Sequence, residues 1–405
     1  MWVKFFEGSL EIKPLMEIDY CLNGDIQSTK KIPVYFIEDF DQLEAVAKLW
    51  LNESCLAIDT EFERRTTYYA TLALVQVYDG QAIYLIDSLA TSCPNSLKQV
   101  FENPNIVKIL HSSKEDLEVF YTAWGCRVNG LFDTQVAYSF LYRELSIGYA
   151  KLVETETGNV LDKQATTSDW VKRPLSNKQF QYAAKDVLYL IYLFEKLKQQ
   201  LRGKVYQKLF VHECEEYCSG TYLRVDSLPD YRDAKEVWKL NELDLAFFKR
   251  LFYWREEKAR QENRTKNHII NDLDLVYLSQ MKPKSMSELK QISGIHPRSI
   301  RLYGVDWIRM SAEWSSDTHK TPIVTIPNPR DVNQLKSLST KFEQVVKQLA
   351  EANDIPATLL LSKRLIRKLA FAILTEMPMP SQWHGWRKGI LNEIISETAK
   401  PFVNK

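Results

Sequence analysis

In the first half of the chain the apolar positions switch repeatedly between two periods. "VYFIEDFDQLEAVAKLWLNES" opens on a short apolar run and continues with Leu43, Val46, Ala47 and Trp50 at helical spacing, which predicts a strand and then an amphipathic helix. "CLAIDTEF", "LALVQVYD" (72–79) and "AIYLID" (82–87) read as three strands, the last two joined by a hairpin signal at Asp79-Gly80. "SLKQVFEN" predicts a helix, "IVKILHS" a fourth strand, and "KEDLEVFYTAWG" a helix stopped at Gly125. "GLFDTQVAYSFLYRE" starts near a strand and turns helical. "SNKQFQYAAKDVLYLIYLFEKLKQQL" predicts one long helix capped by Ser176. Strands alternating with helices after an opening meander predict an α/β domain with a mixed sheet, here over 33–210. Residues 1–32 read as a polar leader with weak strands.

Beyond residue 210 the strand period disappears. "KLNELDLAFFKRLFYWREEKARQENR" is strongly amphipathic at helical spacing, and shorter helical segments follow it, giving a small all-α domain over 211–317. The Pro-containing "THKTPIVTIPNPRD" reads as a linker over 318–331, and 332–405 as a second all-α domain. Each helical domain begins with a long helix and later carries a basic segment, the pattern of a diverged repeat.

Composition narrows the class. Of 405 residues 45% are hydrophobic, with 13 Gly and 15 Pro, which excludes a disordered chain. No apolar run reaches the ~18 residues of a membrane span, and the first residues lack the apolar core of a signal peptide. The six cysteines are scattered. Cys214 and Cys218 have no matching pair elsewhere, so two helix-borne thiols are expected rather than a zinc site, in a reducing cytoplasm. The net charge of +1 hides an asymmetry: residues 1–229 carry 24 Lys/Arg and 31 Asp/Glu, residues 230–405 carry 29 and 21. A basic half suggests a polyanionic partner, with a solvated helical surface as the plainer alternative.

The chemistry concentrates in three places. Asp59 and Glu61 end a buried strand two residues apart, so both point to one side. Two such charges repel, and a hard divalent cation is the natural company for oxygen ligands. Asp116 falls in the first turn of a helix just after a buried strand. Tyr182 and Asp186 lie at i and i+4 on one helix face, beside the apolar stripe Val187, Leu190, Ile191 and Phe194. An acid so near the core is costly unless paired or metal-bound. A salt bridge from Asp186 to Lys185, and a core-aromatic role for Tyr182, remain open readings of each residue alone.

Taken in order, D-x-E, the Asp after "LHSSKE" and Y-x3-D resemble the three motifs of the DEDD superfamily of 3′→5′ exonucleases. Tyr182 marks the tyrosine subclass, and Gln181 stands where the histidine subclass carries its His. The flanks "AIDTEFERRTTYYATLALVQVYDG", "LHSSKEDLEVF", "FDTQVAYSFL" and "TTSDWVKRPLSNKQFQYAAKDVLYL" are similar to the bacterial ribonuclease D family. The resemblance covers about residues 33–405 and includes two C-terminal modules similar to HRDC domains.

The resemblance implies a ribonuclease H-like α/β exonuclease domain, a mixed sheet flanked by helices, followed by two small all-α HRDC-like domains. It implies metal-dependent hydrolysis of RNA from its 3′ end, releasing nucleoside 5′-monophosphates, with tRNA precursors and other structured RNAs as substrates. Asp59, Glu61, Asp116 and Asp186 would hold two divalent ions, Mg²⁺ or Mn²⁺, with Asp59 bridging them, and Tyr182 would orient the attacking water. No nucleotide cofactor and no membrane are expected, and a cytoplasmic monomer is. A DNA 3′→5′ exonuclease of the same fold is the alternative; a non-catalytic nucleic-acid-binding protein is disfavoured by the intact set of acids and tyrosine.

For nucleic-acid contacts, Gln76, His111, Tyr68 and Tyr69 are candidates near the site. Arg255, Lys258, Arg260 and Arg264 are candidates on the first long amphipathic helix, and Lys363, Arg364, Arg367, Lys368, Arg387 and Lys388 in the last domain. A structural histidine, a packed tyrosine loop and neutralisation of the helix charge by Glu256, Glu257 and Glu262 are the plainer readings. Asp133 and Asp169 read first as caps or buried hydrogen-bond partners.

Overall fold

A computed structural model describes residues 3–4, 11–22, 29–161, 168–220 and 228–403, so parts of the expected leader lie outside the described residues. Val3–Lys4 (β1) and Glu11–Ile12 (β2) form a small antiparallel ribbon. Then come β3 (Met16–Tyr20), β4 (Lys30–Ile37), β5 (Cys55–Glu63), β6 (Thr71–Tyr78), β7 (Ile83–Asp87), β8 (Val107–Leu110) and β9 (Leu131–Asp133). These seven make one mixed sheet in the order β3-β4-β7-β6-β5-β8-β9. β5 is an interior strand, antiparallel to β6 and parallel to β8. The segment read as a leader supplies β3, which pairs with β4 and buries Ile18 and Ile32. Its apolar residues are few, but the sheet edge gives them something to pack on.

Helices α1 (Phe40–Trp50), α2 (Asn95–Glu102), α3 (Lys114–Trp124), α4 (Thr134–Tyr142), α5 (Tyr149–Thr157), α6 (Asn177–Leu188), α7 (Leu190–Leu201) and α8 (Gln207–Cys218) surround the sheet. α1 buries Leu43, Val46, Ala47 and Trp50, the stripe its spacing foretells. α3 stops at Gly125, whose φ of 64° suits a residue without Cβ. Ser176 caps α6 in a capping box with Gln179. The single long helix expected over 176–201 is instead two, broken at Tyr189, whose N–H turns to the Tyr149 hydroxyl rather than up the helix. α8 crosses the boundary drawn at residue 210 and packs on α3, α4 and β9, so the core of the α/β domain extends to Cys218.

The first helical module holds α9 (Glu242–Gln261), α10 (Lys266–Ile269), α11 (Asp272–Met281), α12 (Met286–Leu289) and α13 (Pro297–Ser316) around its own core. The stretch expected as a linker leans on this core through Ile326. The second module holds α14 (Leu335–Ala352), α15 (Ala357–Leu360), α16 (Lys363–Leu374) and α17 (Gly385–Val403). Both run long helix, one-turn helix, medium helix and closing long helix, with the short α12 added in the first. The second core merges with that of the α/β domain where α17 meets α8. There Arg387 grips Glu213 with two hydrogen bonds of 2.6 and 2.8 Å, and Trp386 Nε1 donates to the same carboxylate. Glu213 is buried, which alone would raise its pKa; Arg387 and Trp386 override that and hold it low.

Candidate active site

β5 leaves the core at Asp59-Thr60-Glu61. α6 lies across this sheet, touching β5, β6 and β7, and brings Asp186 down from its last turn. One carboxylate oxygen from each of Asp59, Glu61 and Asp186 falls within 4.8 Å of the others. Each acid keeps a partly open edge, yet protein atoms enclose it. Burial, then the charge of Asp186 and Asp116, pushes Glu61 up to about 9. Burial lifts Asp186 to about 7 against the Tyr182 hydroxyl, which favours its charged form. Asp59 is also raised, by burial first and then by Asp116, Asp186 and Glu61.

Asp116, in the first turn of α3, accepts a hydrogen bond from the Thr60 hydroxyl. It stands outside the 4.8 Å trio, but its bond to Thr60 ties it to the residue between Asp59 and Glu61, and its charge is the foremost of those that raise Asp59. Burial raises Asp116 to about 7, with Thr60 pulling the other way. Asp133 sets the height of α3. Capping α4, it also accepts from the Ser112 and Ser113 N–H groups at 3.1 and 2.8 Å, tying the turn before α3 to the end of β9. Asp169 likewise accepts from Val171 and Lys172 N–H, but it is exposed, a cap of its turn rather than a buried partner.

The trio offers only oxygen ligands, and among the described residues no Lys or Arg is ion-paired with any member. Enclosed like charges without a counter-charge suit a hard divalent cation. Tyr182, half-buried, sits one helical turn before Asp186; burial first, and then the charge of Asp186 and Glu61, raise its hydroxyl far above the usual tyrosine range, so it stays protonated.

The other candidates divide. His111 is held from both sides: its Nε2 lies 3.0 Å from Ile147 O and its Nδ1 2.9 Å from the Thr134 hydroxyl, which also reaches Leu110 O. Burial keeps the ring neutral, a structural arrangement rather than a nucleotide contact. Gln76 is wholly buried on β6, out of reach of nucleic acid. Tyr68 and Tyr69 lie in a packed loop: Arg260 Nε–H donates to the Tyr68 hydroxyl at 3.1 Å, Asn263 Oδ1 accepts from Tyr69 N–H at 2.9 Å, and Thr265 N–H reaches Thr66 O. The turn leaving β5 is therefore fastened to the first helical module.

Arg255 is fully buried, bonded to Ile270 O, Asp272 and Glu256, so it is a core ion pair and not a phosphate ligand. Lys258 and Arg264 lean on Glu262. In the last module Lys368 pairs with Asp233 and Arg387 with Glu213, which leaves Lys363, Arg364, Arg367 and Lys388 exposed. Of these, Arg364 and Arg367 face the first helical module. They line a cleft of about 350 Å³ between the two helical modules, with Trp238 beside them. The acids there, Asp230 and Asp233, already have Arg232 and Lys368 as partners.

Sequence reasoning missed Thr60 and Tyr149, which act through neighbours brought close only by folding. It also missed the Arg64–Glu118 ion pair, which joins the end of β5 to α3.

A model described as 3′-5′ exonuclease matches residues 34–202, and one described as HRDC domain matches 244–310. A ribonuclease D of Shewanella sp. (strain ANA-3) is 33% identical over 373 residues, covering 91% of this chain and 95% of that relative. A ribonuclease D of Cronobacter turicensis is 32% identical over 358 residues, covering 88% and 97%. The crystal structure of Escherichia coli RNase D, described as an exoribonuclease involved in structured RNA processing, superposes with a TM-score of 0.82 at 29% identity, over 91% of this chain and 98% of that one.

Proposed function

We propose, for a chain that belongs to the ribonuclease D family and is a 3′→5′ exoribonuclease, that it trims the 3′ ends of tRNA precursors and other structured RNAs by two-metal-ion hydrolysis. The observation that supports this reading most is the meeting of Asp59, Glu61 and Asp186 within 4.8 Å, with Asp116 beside Asp59. Asp59, Glu61 and Asp186 would hold one ion, and Asp59 with Asp116 the second. Mg²⁺ and Mn²⁺ suit the all-oxygen set. Bound there, such ions offset the charge of the attacking and leaving oxygens and favour hydroxide over water.

The protein's own groups do the rest. The Thr60 hydroxyl, donating to Asp116, fixes one oxygen of that carboxylate. The Tyr182 hydroxyl, protonated beside Asp186, orients the attacking water by donating or accepting a hydrogen bond rather than removing its proton. Arg364 and Arg367 attract backbone phosphates, and Trp238 offers a stacking face for a base, a combination suited to single-stranded RNA.

Incubation with a 3′-extended tRNA, a plain single-stranded RNA and a matching DNA, with and without EDTA, tests the reading. Metal-dependent release of 5′-monophosphates from the RNA 3′ ends is expected, lost in Asp59→Asn while RNA binding persists. Preference for the DNA, or full activity in Asp59→Asn, would refute it.

A further inference from the structure

Gln76 sits in the middle of β6 with no accessible surface, and neither its amide nitrogen nor its amide oxygen has a hydrogen-bond partner among the described residues. Burying both ends of an amide unpaired is unfavourable, and an apolar side chain of the same shape would avoid the cost. Trp50, Trp170 and Trp307 also bury unpartnered N–H groups, but an indole brings a large apolar area that explains its place. Glutamine brings none.

The strand register shows what Gln76 faces. It is directly opposite Asp59 across the antiparallel β5–β6 ladder, and opposite Leu85 on β7. Opposed residues project to the same side with Cβ atoms about 4.5–5.5 Å apart. That side is the one on which Asp59 meets Asp186 beneath α6. A glutamine amide spans such a gap to a carboxylate by a change of rotamer.

We propose that Gln76 is the positioning residue for Asp59, its Nε2–H donating to the Asp59 oxygen turned away from Glu61 and Asp186 when a divalent cation is held. This rests on the reading of Asp59 as a metal ligand. A carboxylate that is to hold a cation needs a fixed orientation, and a donor from the neighbouring strand would fix it. Such outer partners commonly carry 10–100-fold in metal affinity. The energetic pattern follows: the amide is a burden in the metal-free protein and is satisfied in the loaded one.

The test replaces Gln76 by Met, close to it in shape and unable to donate. Thermal unfolding of the metal-free protein, Mn²⁺ binding by calorimetry and the Mn²⁺ dependence of RNA hydrolysis are measured, with Asp59→Asn alongside. Gln76→Met is expected to unfold at the same or a higher temperature than the parent, to bind Mn²⁺ about tenfold more weakly or worse, and to need correspondingly more Mn²⁺ for half-maximal rate. Gln76→Leu should behave alike. Parental Mn²⁺ affinity in Gln76→Met overturns the proposal. So does a metal-free Gln76→Met that unfolds several degrees early or does not fold, because the amide would then be a structural group. If Asp59→Asn also keeps parental Mn²⁺ affinity, the metal-ligand reading falls with it; if Asp59→Asn binds weakly while Gln76→Met binds normally, only the role of Gln76 is lost.

Discussion

Tyr149 and Tyr189 are joined by a hydrogen bond in which the Tyr149 hydroxyl accepts the Tyr189 backbone N–H at 3.2 Å, while the same hydroxyl donates to the Lys185 carbonyl at 3.0 Å. The side chain thus fills the place of the i→i−4 bond between Tyr189 and Lys185 and separates α6 from α7. Asp186 lies inside that opened turn. Its approach to Asp59 and Glu61 is set by a tyrosine thirty-seven residues upstream. Tyr149→Phe lets the turn close and swings Asp186 from its place. The expected result is a fall in kcat of roughly tenfold, equivalent to about 1.4 kcal/mol, with little change in KM for RNA. An unchanged kcat would show that the break in the helix does not position Asp186.

The raised carboxylates predict how metal and pH act together. Asp116 and Asp186 at about 7, and Glu61 at about 9, all lie above the values of about 4 in the unfolded chain. Their contribution to stability is complete below about pH 4 and is lost as pH rises through 7 to 9. The metal-free protein should therefore lose stability from this source between pH 5.5 and 8.5, and Mn²⁺ should raise Tm more at pH 8.5 than at pH 5.5. Between pH 5.5 and 6.5 the apparent Mn²⁺ affinity should rise about tenfold for each proton displaced. Calorimetry in buffers of different ionisation enthalpy counts those protons; none released would contradict the assignment.

The fastening of Tyr68 by Arg260 links the helical module to the end of the strand that bears Asp59 and Glu61. The guanidinium also lies 5.7 Å from the Tyr68 ring centroid, within cation–π range. Arg260→Ala removes both contacts, worth on the order of 1–2 kcal/mol together. Faster proteolysis within residues 64–70 and a several-fold lower kcat on a short RNA are expected. Equal proteolysis rates in parent and variant would show that the loop is held by other means.

Arg364 and Arg367 give the cleft between the helical modules its uncompensated charge. Arg364→Glu with Arg367→Glu should weaken RNA binding and flatten the plot of log K against log salt by about 1.4 for single-stranded RNA, two contacts at about 0.7 each. Hydrolysis of a dinucleotide, which offers few phosphates to the cleft, should change far less. A parental salt slope would remove these arginines from the RNA path.

Local pattern decided much of this protein. Period-two runs placed β5, β6, β7 and β8, helical stripes placed α1, α3 and α9, and Gly125 and Ser176 marked helix ends, because these signals act over a few residues. The motif acids Asp59, Glu61 and Asp186 were visible for a similar reason: strand and helix periods put each on a definite side of its own element, and the order of motifs carried the family resemblance. Folding alone settled what each side faces. Arg255 looks in sequence like any other cation of a basic helix, yet α9 turns it inward to Asp272 and Glu256. His111 and Tyr68 look like exposed recognition groups, yet contacts from residues far along the chain, Ile147 and Arg260, use them up. Gln76 looks like a polar break in an apolar strand, and only the β5–β6 register sets it opposite Asp59. Periodicity tells which way a side chain points relative to its own backbone; which partner waits there depends on how distant segments pack, and that is where hydrogen bonds, pKa values and the metal-ready cluster arise.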